Sequence, residues 1–559
     1  MRLARFVTAF AGLIAISGNA SAEHHNPDTP AAPKLVVAIS VDQFSADLFS
    51  EYRSTFTGGL KRLSDGAVFP SGYQSHAATE TCPGHATIMT GTHPGRAGII
   101  ANNWIDLSVK RDDKTIYCAE DERIEGTSFG SITAATQGDY VASPWHLLVP
   151  TLGERLKQIS PKSRNVAVSG KDRAALMMGG ADVDAIYWWK GRGFTTLKGQ
   201  TVAPAIGTLN AAIGEAIDKA RAPYAVPQHC EARNQKISIN KNQSVGTYAF
   251  QRPQGAGRIF RGSPGFDKAT IDAGLALVRS MKLGQAEATD ILSLGLSATD
   301  YIGHAFGTGG LEMCIQMSEL DRNLGMLFKT LDEQGIDYAV MLTADHGGHD
   351  LPERLQMQGV PDAERIDPNL NAGFVGKQVK DIIGDTSGAQ VLFADSPFGD
   401  YYVSLDLPDE KRAEVKKVAM TMFSAHPQVE AVFDHEDLAK APTPAGPVEE
   451  WTMAERTRAS FHPDRSGDFI VLLKKAVTPI AKTGMGYVAT HGSPWDYDRR
   501  VPILFWRAGI GHFEQPLSVR TIDIAPTLAA MIGFNIPDDE IDGICLDIDG
   551  SARNSCHRQ

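Results

Sequence analysis

The sequence lacks several features that define other classes of protein. After residue 22 it has no apolar run long enough to cross a membrane. It has no basic excess, because 54 Lys and Arg stand against 66 Asp and Glu, and the net charge of −12 argues against a general nucleic-acid binder, which needs a basic face. We find no internal repeat and no low-complexity tract. With 42% hydrophobic and 21% charged residues, the 559-residue chain has the composition of a globular protein with a large core.

The first 22 residues have the pattern of a secretory signal peptide. Arg2 and Arg5 precede an apolar run at residues 6–16, and Ala20-Ser21-Ala22 offers a small-residue cleavage site. A short membrane anchor is the alternative, but eleven residues fall well short of the ~20 that span a bilayer. Removal of both arginines leaves 52 basic against 66 acidic residues, a net charge of −14. We therefore expect a mature protein that is periplasmic or secreted.

The sequence has few cysteines, and none form a C-x-x-C pair, which disfavours a zinc-thiolate site. Their even number and the expected oxidising compartment make disulfides the default. Six cysteines allow 15 pairings, and we predict only one of them, at the C-terminus, between Cys545 and Cys556. The six are Cys82, Cys118, Cys230, Cys314, Cys545 and Cys556.

Continuous apolar runs predict a parallel α/β sheet. Runs of this kind are typical of strands that are buried on both faces, and they occur at residues 35–41, 165–169, 291–297, 338–343 and 501–506. Between the third and fourth runs, leucines at 320, 324, 327 and 331 recur at helical spacing, and Gly335 is placed to end the helix. Strand, long helix and strand in succession are the alternation expected for parallel strands.

Two stretches lack this alternation, at about residues 174–285 and 350–485. We interpret both as insertions into one core. The second contains a helix candidate at residues 408–423 and a strand candidate at residues 469–473. The expected organisation is therefore a signal peptide at residues 1–22, a flexible leader at 23–33 and a catalytic domain at 34–559.

Polar residues follow three of the predicted strands, at the positions where α/β sheets bind ligands, and His491 stands shortly before the strand at 501–506. Each residue alone has an ordinary explanation, because a lone Asp is usually a helix N-cap and a lone His is usually a surface or core residue. Together, the carboxylates and imidazoles favour Zn²⁺ or a similar divalent metal, and six ligands exceed one tetrahedral site. The sequence therefore predicts a two-ion site whose ligands are Asp42, Asp300, His304, Asp345, His346 and His491.

Residues 79–86, TETCPGHA, contain a nucleophile candidate. We expect Pro83 and Gly84 to form a sharp turn before a helix at residues 86–90. Thr81 would then lie at a helix N-terminus, where backbone N–H groups favour an anion. A metal-bound threonine alkoxide needs no general base. The alternative is that Thr81 is a simple helix cap.

Together these segments resemble the alkaline phosphatase superfamily. They look closest to the branch that contains the nucleotide pyrophosphatase/phosphodiesterases and the threonine-nucleophile alkaline phosphatases. The matching text is VD at 41–42, TCPGHAT at 81–87, NNW at 102–104, DYIGH at 300–304, ADHG at 344–347, THG at 490–492 and IDIAPTL at 522–528. The resemblance spans nearly the whole mature chain. It implies a mostly parallel sheet flanked by helices.

The resemblance also implies roles for the individual residues. One zinc ion would be held by Asp300, His304 and His491, and the other by Asp42, Asp345 and His346. Thr81 would bridge to the second zinc, attack phosphorus and form a phosphothreonine. Asn102 would donate its side-chain amide to a phosphate oxygen.

Residues 169–173, SGKDR, bear on the choice between monoesters and diesters. An extended segment would point Lys171 and Arg173 the same way, and together they could hold the extra charged oxygen of a monoester. In the resembling family a Lys-x-Arg motif here marks monoesterases. The alternative is a solvated basic loop. Sulfatases are disfavoured because the C-x-P-x-R motif is absent, and phosphoglycerate mutases because they are cytosolic and use a serine.

The sequence thus predicts a secreted alkaline phosphatase that hydrolyses small phosphate monoesters by a two-zinc mechanism. Two alternatives stay open: a nucleotide phosphodiesterase on the same core, and a metal-binding protein without catalysis. A structural Ca²⁺ near the acidic clusters at residues 538–542 and 547–549 is a further possibility. We expect a monomer that has no membrane span and does not bind nucleic acid through surface charge.

The signal peptide gives the first testable prediction. When the full chain is expressed with its natural leader, the exported protein should begin at Glu23, because the cleavage site follows Ala22. Intact-mass spectrometry of the exported protein checks this. An exported protein that keeps its first 22 residues contradicts the prediction.

Overall fold

The structure, a computed structural model, describes residues 31–124, 140–550 and 554–556. The predicted signal peptide, and all of the leader before residue 31, lie outside the described residues. Residues 33–559 group into a single unit.

A ten-stranded sheet forms the centre of this unit. Its strands, in chain order, are β1 (Leu35–Val41), β2 (Ala67–Tyr73), β3 (Asn165–Ser169), β4 (Ala185–Lys190), β5 (Gly193–Thr195), β6 (Asp290–Leu296), β7 (Tyr338–Thr343), β8 (Arg500–Arg507), β9 (Phe513–Glu514) and β10 (Val519–Arg520). Their spatial order is β9-β2-β8-β7-β1-β6-β3-β4-β5, and β10 also pairs with β2. The strands β7, β1, β6, β3 and β4 run parallel, and β8 is antiparallel to both of its neighbours.

Helices cover both faces of the sheet, and the central strand β1 is accordingly apolar on both sides. Its alternate residues Leu35, Val37, Ile39 and Val41 share one apolar cluster with the helices Gly265–Met281 and Leu311–Glu333. Val36 and Ala38 share a second cluster with the helices Thr81–Thr90, Leu152–Ile159 and Ile524–Ile532. A strand buried on two sides in this way reads as a continuous apolar run.

The other helices in the described residues are mostly short. They are Ala46–Tyr52, Gly59–Leu63, Pro94–Ala97, Asp172–Gly179, Pro204–Asp218, Ala298–Phe306, Pro352–Met357, Ala372–Ile383, Asp409–Ser424, His435–Lys440, Met453–Ser460 and Asp496–Arg499. Among the described residues, no helix combines the length and apolarity needed to span a membrane.

The five predicted strands are confirmed to within one residue at each end. The predicted leucine helix is confirmed within Leu311–Glu333, and Gly335 follows it with a φ of 66°. The sequence did not identify β2, because its apolar run is broken by Pro70 and Ser71.

The predicted insertion at about residues 174–285 needs correction. Strands β4 and β5 extend the main sheet, and the helix Asp172–Gly179 is the crossover between the parallel strands β3 and β4. The helix Gly265–Met281 packs in the core before β6. Only residues from about 196 to 264 lie outside this alternation, and they include the short hairpin Ile237–Asn240 and Gln243–Val245.

The second predicted insertion, at about residues 350–485, contains a smaller sheet with an apolar cluster of its own. Its strand order is Leu392–Phe393, Gly399–Val403, Phe469–Leu473 and Val429–Asp434. The strand Phe469–Leu473 and the helix Asp409–Ser424 match the two candidates expected there. Short two-stranded pairs join Glu364–Arg365 to Val477–Thr478 and, elsewhere in the chain, Asn103–Ile105 to Thr115–Tyr117.

All six cysteines are paired. The predicted disulfide between Cys545 and Cys556 is confirmed. The other two disulfides join Cys82 to Cys118 and Cys230 to Cys314. No cysteine thiolate is therefore left to bind a metal.

Candidate metal and nucleophile site

The topology of the sheet brings three aspartates to one place. Strand β1 lies between β6 and β7, and all three run parallel. Asp42 directly follows β1, Asp345 follows β7, and Asp300 lies in the first turn of the helix Ala298–Phe306 that follows β6. Because the carboxyl ends of parallel strands meet at one edge, the three carboxylates converge there, and all are buried.

The structure brings the three predicted imidazoles to the same edge. Two sets of three side chains have their ligand atoms within 4.8 Å of one another: Asp42, Asp345 and His346, and Asp300, His346 and His491. His304 is one turn beyond Asp300, and its Nε2 lies 3.2 Å from Asp300 Oδ1. All six predicted ligands therefore meet. His346 is close to both sets, whereas the resemblance placed it in one.

The three imidazoles are oriented alike by the backbone. In each, Nδ1 lies 2.8 Å from a carbonyl oxygen: His304 with Ala489, His346 with Gly347 and His491 with Thr79. A carbonyl only accepts, so Nδ1 carries the proton and Nε2 has its lone pair free. This is the usual arrangement of histidines that bind metal ions.

Several buried polar atoms at this edge fit a bound cation. Asp42 Oδ1 and His346 Nε2 are buried, and neither has a hydrogen-bond partner among the described residues. Buried polar atoms are normally paired, so such a set calls for a ligand. Carboxylates mixed with neutral imidazoles suit zinc-type ions better than Ca²⁺ or Mg²⁺. The residues present therefore fit the two expected ions.

The electrostatics of the site follow from the burial of three carboxylates together. Burial raises the pKa of Asp42 well above its usual range, and Asp300 and Asp345 raise it further. Burial alone would also raise the pKa of Asp300, but His304 and Lys171 hold it well below its usual range. Burial lowers the pKa of His346 to about 3, which keeps that imidazole neutral and able to bind a metal.

Lys171 supplies positive charge to this cluster. Its Nζ lies 2.5 Å from Asp42 Oδ2 and 2.6 Å from Asp300 Oδ2. Burial would lower the pKa of Lys171, but Asp300 and Asp42 raise it above its ordinary value. The lysine is therefore a buried cation between two of the carboxylates.

The segment around Thr81 differs from the expected turn. Pro83 and Gly84 lie inside the helix Thr81–Thr90, which begins at Thr81 itself. Proline is tolerated there because the first-turn N–H groups of a helix have no intrahelical partner. Glu80 occupies the N-cap position, so Thr81 is the first helical residue and not a cap. Its side chain is fully buried.

Gly84 sets the distance between this helix and the ligands. A Cβ at Gly84 would lie 2.0 Å from the backbone oxygen of Asp345, far inside contact distance. Glycine therefore allows the helix that carries Thr81 to touch the loop that carries Asp345 and His346. His85, one turn after Thr81, completes the contact, since its Nδ1 lies 3.1 Å from Asp345 Oδ2.

Lys171 and Arg173 both reach the candidate nucleophile. Lys171 Nζ lies 3.4 Å and an Arg173 guanidinium nitrogen 3.3 Å from Thr81 Oγ1. The segment that carries them is a helix start and not the expected extended stretch. Lys171 is the N-cap of the helix Asp172–Gly179, and Arg173 lies in its first turn. Burial alone would lower the pKa of Arg173, but Tyr117 and Tyr301 raise that pKa above its ordinary value. The pair is therefore not a solvated loop.

Asn102 is held next to the start of the helix. The side-chain Oδ1 of Asn102 accepts a hydrogen bond from the backbone N–H of Cys82 at 2.8 Å. The backbone N–H of Asn102 donates to Glu80 Oε2 at 2.6 Å. The Cys82–Cys118 disulfide ties this helix to the strand pair that follows Asn102. With Oδ1 engaged in this way, the amide of Asn102 remains available as a donor.

The acidic clusters near the C-terminus bond to the chain itself. Asp542 accepts from the backbone N–H of His93 and pairs with Arg96, and Asp547 accepts from Ser555. Neither cluster contributes to the metal-ligand groups found among the described residues.

Two residues that contact the ligand set were not predicted as site residues. His85 is within the quoted TCPGHAT segment, and its i, i+4 spacing from Thr81 was a usable signal. Gln43, directly after Asp42, contacts both Asp300 and Asp345. Nothing in the sequence around it pointed to that contact.

A small cavity lies near the start of the helix Thr81–Thr90, although Thr81 itself does not line it. It is bordered by Glu80 and Gly492, the direct neighbours of Thr81 and His491, and by Asn103. Aromatic and acidic residues form much of the rest, including Trp104, Phe398, Tyr402, Asp395 and Asp400. No Lys, Arg or His side chain of the described residues lines it.

The chain belongs to the type I phosphodiesterase/nucleotide pyrophosphatase family, whose sequence model matches residues 36–494. It is 51% identical to alkaline phosphatase PhoK of a Sphingomonas species over 530 residues, which are 94% of this chain and 93% of that protein. It is 45% identical to alkaline phosphatase PhoD of Zymomonas mobilis over 535 residues, 95% of this chain and 90% of PhoD. These comparisons confirm the predicted resemblance and an enzyme of the alkaline phosphatase type.

A solved structure confirms the fold class. The crystal structure of alkaline phosphatase PafA matches with a TM-score of 0.79 at 23% sequence identity, and the match covers 94% of this chain and 100% of that one. The expectation of a mixed α/β fold with a large central sheet between helices is therefore correct.

The contact at Gly84 gives a testable prediction. Gly84→Ala should lower kcat/KM for an aryl phosphate by about 100-fold, because relief of the 2.0 Å contact must move Thr81 away from Asp345. Gly214→Ala is the matched control, since a Cβ there meets nothing within 4 Å. Steady-state kinetics and thermal unfolding of both variants check this. Equal activity of the two variants contradicts the prediction.

Proposed function

We propose that this protein hydrolyses phosphate monoesters, with Thr81 as the nucleophile. The observation that carries the proposal is the pair of contacts to Thr81 Oγ1, from Lys171 Nζ at 3.4 Å and from Arg173 at 3.3 Å. A hydroxyl held between a buried lysine and a partly buried arginine is placed to meet an anionic substrate. The carboxylate and imidazole cluster lies directly beside it.

The phosphate-binding part of the site is built from the chain's own donors. Lys171 offers a point charge and Arg173 a planar fork, and the two together suit the charged oxygens of a phosphate. Asn102 adds a side-chain amide on the side of Cys82. These groups orient phosphorus toward Thr81 Oγ1.

We assign two ions of zinc type to the ligand cluster. Asp300, His304 and His491 would hold one, and Asp42, Asp345 and His346 the other. When bound, the two ions supply Lewis-acid stabilisation of the attacking and leaving oxygens. The backbone carbonyls of Ala489, Gly347 and Thr79 keep the three imidazoles in the tautomer that binds metal.

The reaction proceeds in two steps on Thr81. The hydroxyl loses its proton to solvent, Oγ1 bonds to phosphorus as the ester P–O bond breaks, and the departing oxygen takes a proton from solvent, so that an alcohol leaves. Water then attacks the phosphothreonine, the P–Oγ1 bond breaks, and inorganic phosphate and the free hydroxyl result. Lys171 and Arg173 stay in contact with the transferred phosphoryl group in both steps, because both lie beside Oγ1.

The charges around Thr81 favour a monoester over a diester. A monoester carries one more charged oxygen, which Lys171 and Arg173 can neutralise. The cavity next to Glu80 and Gly492, where the alcohol part would lie, has acidic and aromatic walls and no basic side chain among the described residues. That lining offers no attraction to the further phosphate of a nucleotide substrate. These features weigh against the phosphodiesterase alternative.

We also propose that the enzyme works outside the cytoplasm. The signal-peptide pattern of the first 22 residues and three disulfides both support a periplasmic or secreted location. The contacts of the C-terminal acidic residues do not support a further structural Ca²⁺, because these carboxylates pair with groups of the chain itself.

Removal of the nucleophile gives a testable prediction. Thr81→Ala should abolish the covalent phosphoenzyme while two zinc ions remain bound, because six other ligands are intact. Acid quench with labelled phosphate and metal analysis check this. Thr81→Ser, which keeps a hydroxyl, should still form the adduct. Label trapped on the alanine variant refutes the assignment.

The selectivity of the site gives a further testable prediction. Replacement of both Lys171 and Arg173 by Ala should lower kcat/KM for an aryl phosphate at least about 100-fold more than for a bis-aryl phosphate, because only the monoester has the extra charge. Kinetics on the matched pair of substrates measure this. Equal losses on both substrates mean that these residues do not recognise the monoester charge.

A further inference from the structure

Gln43 occupies an unusual position at the end of β1. It directly follows the ligand Asp42, is only 2% exposed and has a φ of 65°. That left-handed conformation is uncommon for residues other than glycine, asparagine and aspartate. Glycine would relieve the strain without a side chain. A strained glutamine at this point therefore suggests that its side chain has a task.

The contacts of Gln43 connect the two ligand sets. Its backbone N–H donates to Asp345 Oδ1 at 3.2 Å, and its side-chain Nε2 donates to Asp300 Oδ1 at 3.3 Å. Asp345 belongs to one proposed ion site and Asp300 to the other. A single residue thus holds one oxygen of a carboxylate from each set.

Two glycines make room for this side chain. A Cβ at Gly303 would lie 1.6 Å from Gln43 Oε1, and a Cβ at Gly348 would lie 2.8 Å from Gln43 Cγ. Gly303 is between Asp300 and His304, and Gly348 follows His346 by two residues. Both segments that carry ligands, the helix Ala298–Phe306 and the loop after β7, are therefore shaped around Gln43.

We propose that Gln43 is a positioning residue that sets the orientation and separation of the two ligand sets. The proposal rests on the two-ion function given above. Loss of a hydrogen bond to a residue that directly binds a metal ion commonly weakens the affinity for that ion by about 10- to 100-fold. The positive φ directs the Gln43 backbone N–H toward Asp345 and its side chain toward Asp300. The strained backbone conformation therefore allows one residue to contact both carboxylates.

The test compares variants that separate backbone conformation from the side-chain bridge. Gln43→Gly relieves the strain and removes the side chain, whereas Gln43→Asn tolerates the backbone conformation but is one methylene too short for Asp300. Both should retain the fold by circular dichroism and bind at least one zinc ion 10- to 100-fold more weakly in metal-buffered dialysis. Lys282→Gly relieves a similar φ of 54° far from the ligands and should bind zinc as wild type does.

A double-mutant cycle makes the test specific. Gly303→Ala alone should weaken zinc binding because its Cβ displaces Gln43 Oε1. In the Gln43→Gly background the same change should cost at least tenfold less, because the clashing atom is gone.

Two results overturn the role of Gln43. One is wild-type zinc affinity in both Gln43 variants, and the other is an equal cost of Gly303→Ala in the two backgrounds. Wild-type protein that binds no zinc contradicts the proposed function itself, so the two failures are distinguishable.

Discussion

The burial of three carboxylates at one edge of the sheet is the constraint on which the rest of the site depends. Asp42, Asp300 and Asp345 are all removed from water. Buried charges of one sign are very costly unless cations or hydrogen bonds compensate them. Lys171 compensates part of this charge, and three correctly oriented imidazoles complete a set of donors that fits divalent cations. Lys171 and, when bound, divalent cations would give this acidic protein the local positive field that the proposed function requires.

The same edge organises the substrate side. Gly84 allows the helix Thr81–Thr90 to touch the backbone of Asp345, and this contact fixes Thr81 relative to the candidate ligands. Asn102 and the Cys82–Cys118 disulfide hold the start of that helix from the other direction. Thr81, Lys171, Arg173 and the cluster of carboxylates and imidazoles therefore form one connected unit. We expect a shift in any part to move the Thr81 hydroxyl, the proposed nucleophile.

The sequence predicted the parts of the fold whose pattern is set by burial. The central strands are covered on both faces, so they appear as continuous apolar runs, and polar residues directly after them mark the edge where ligands bind. It did not predict β2, whose run is interrupted, or the place of β4 and β5 in the main sheet. It also misplaced the start of the Thr81 helix, because proline and glycine indicate a turn unless their position in the first helical turn is known.

By itself the sequence determined the residue types of the candidate site, because six candidate ligands, a threonine hydroxyl and a Lys-x-Arg pair stand at recognisable positions. Only the tertiary structure decided how they meet. The parallel order of β7, β1 and β6 brings distant aspartates together, and a helix start rather than an extended segment aims Lys171 and Arg173 at Thr81. The bridge through Gln43 also depends on contacts between residues some 250 to 300 positions apart. Such contacts leave no local pattern, since they follow from packing and not from the neighbouring residues.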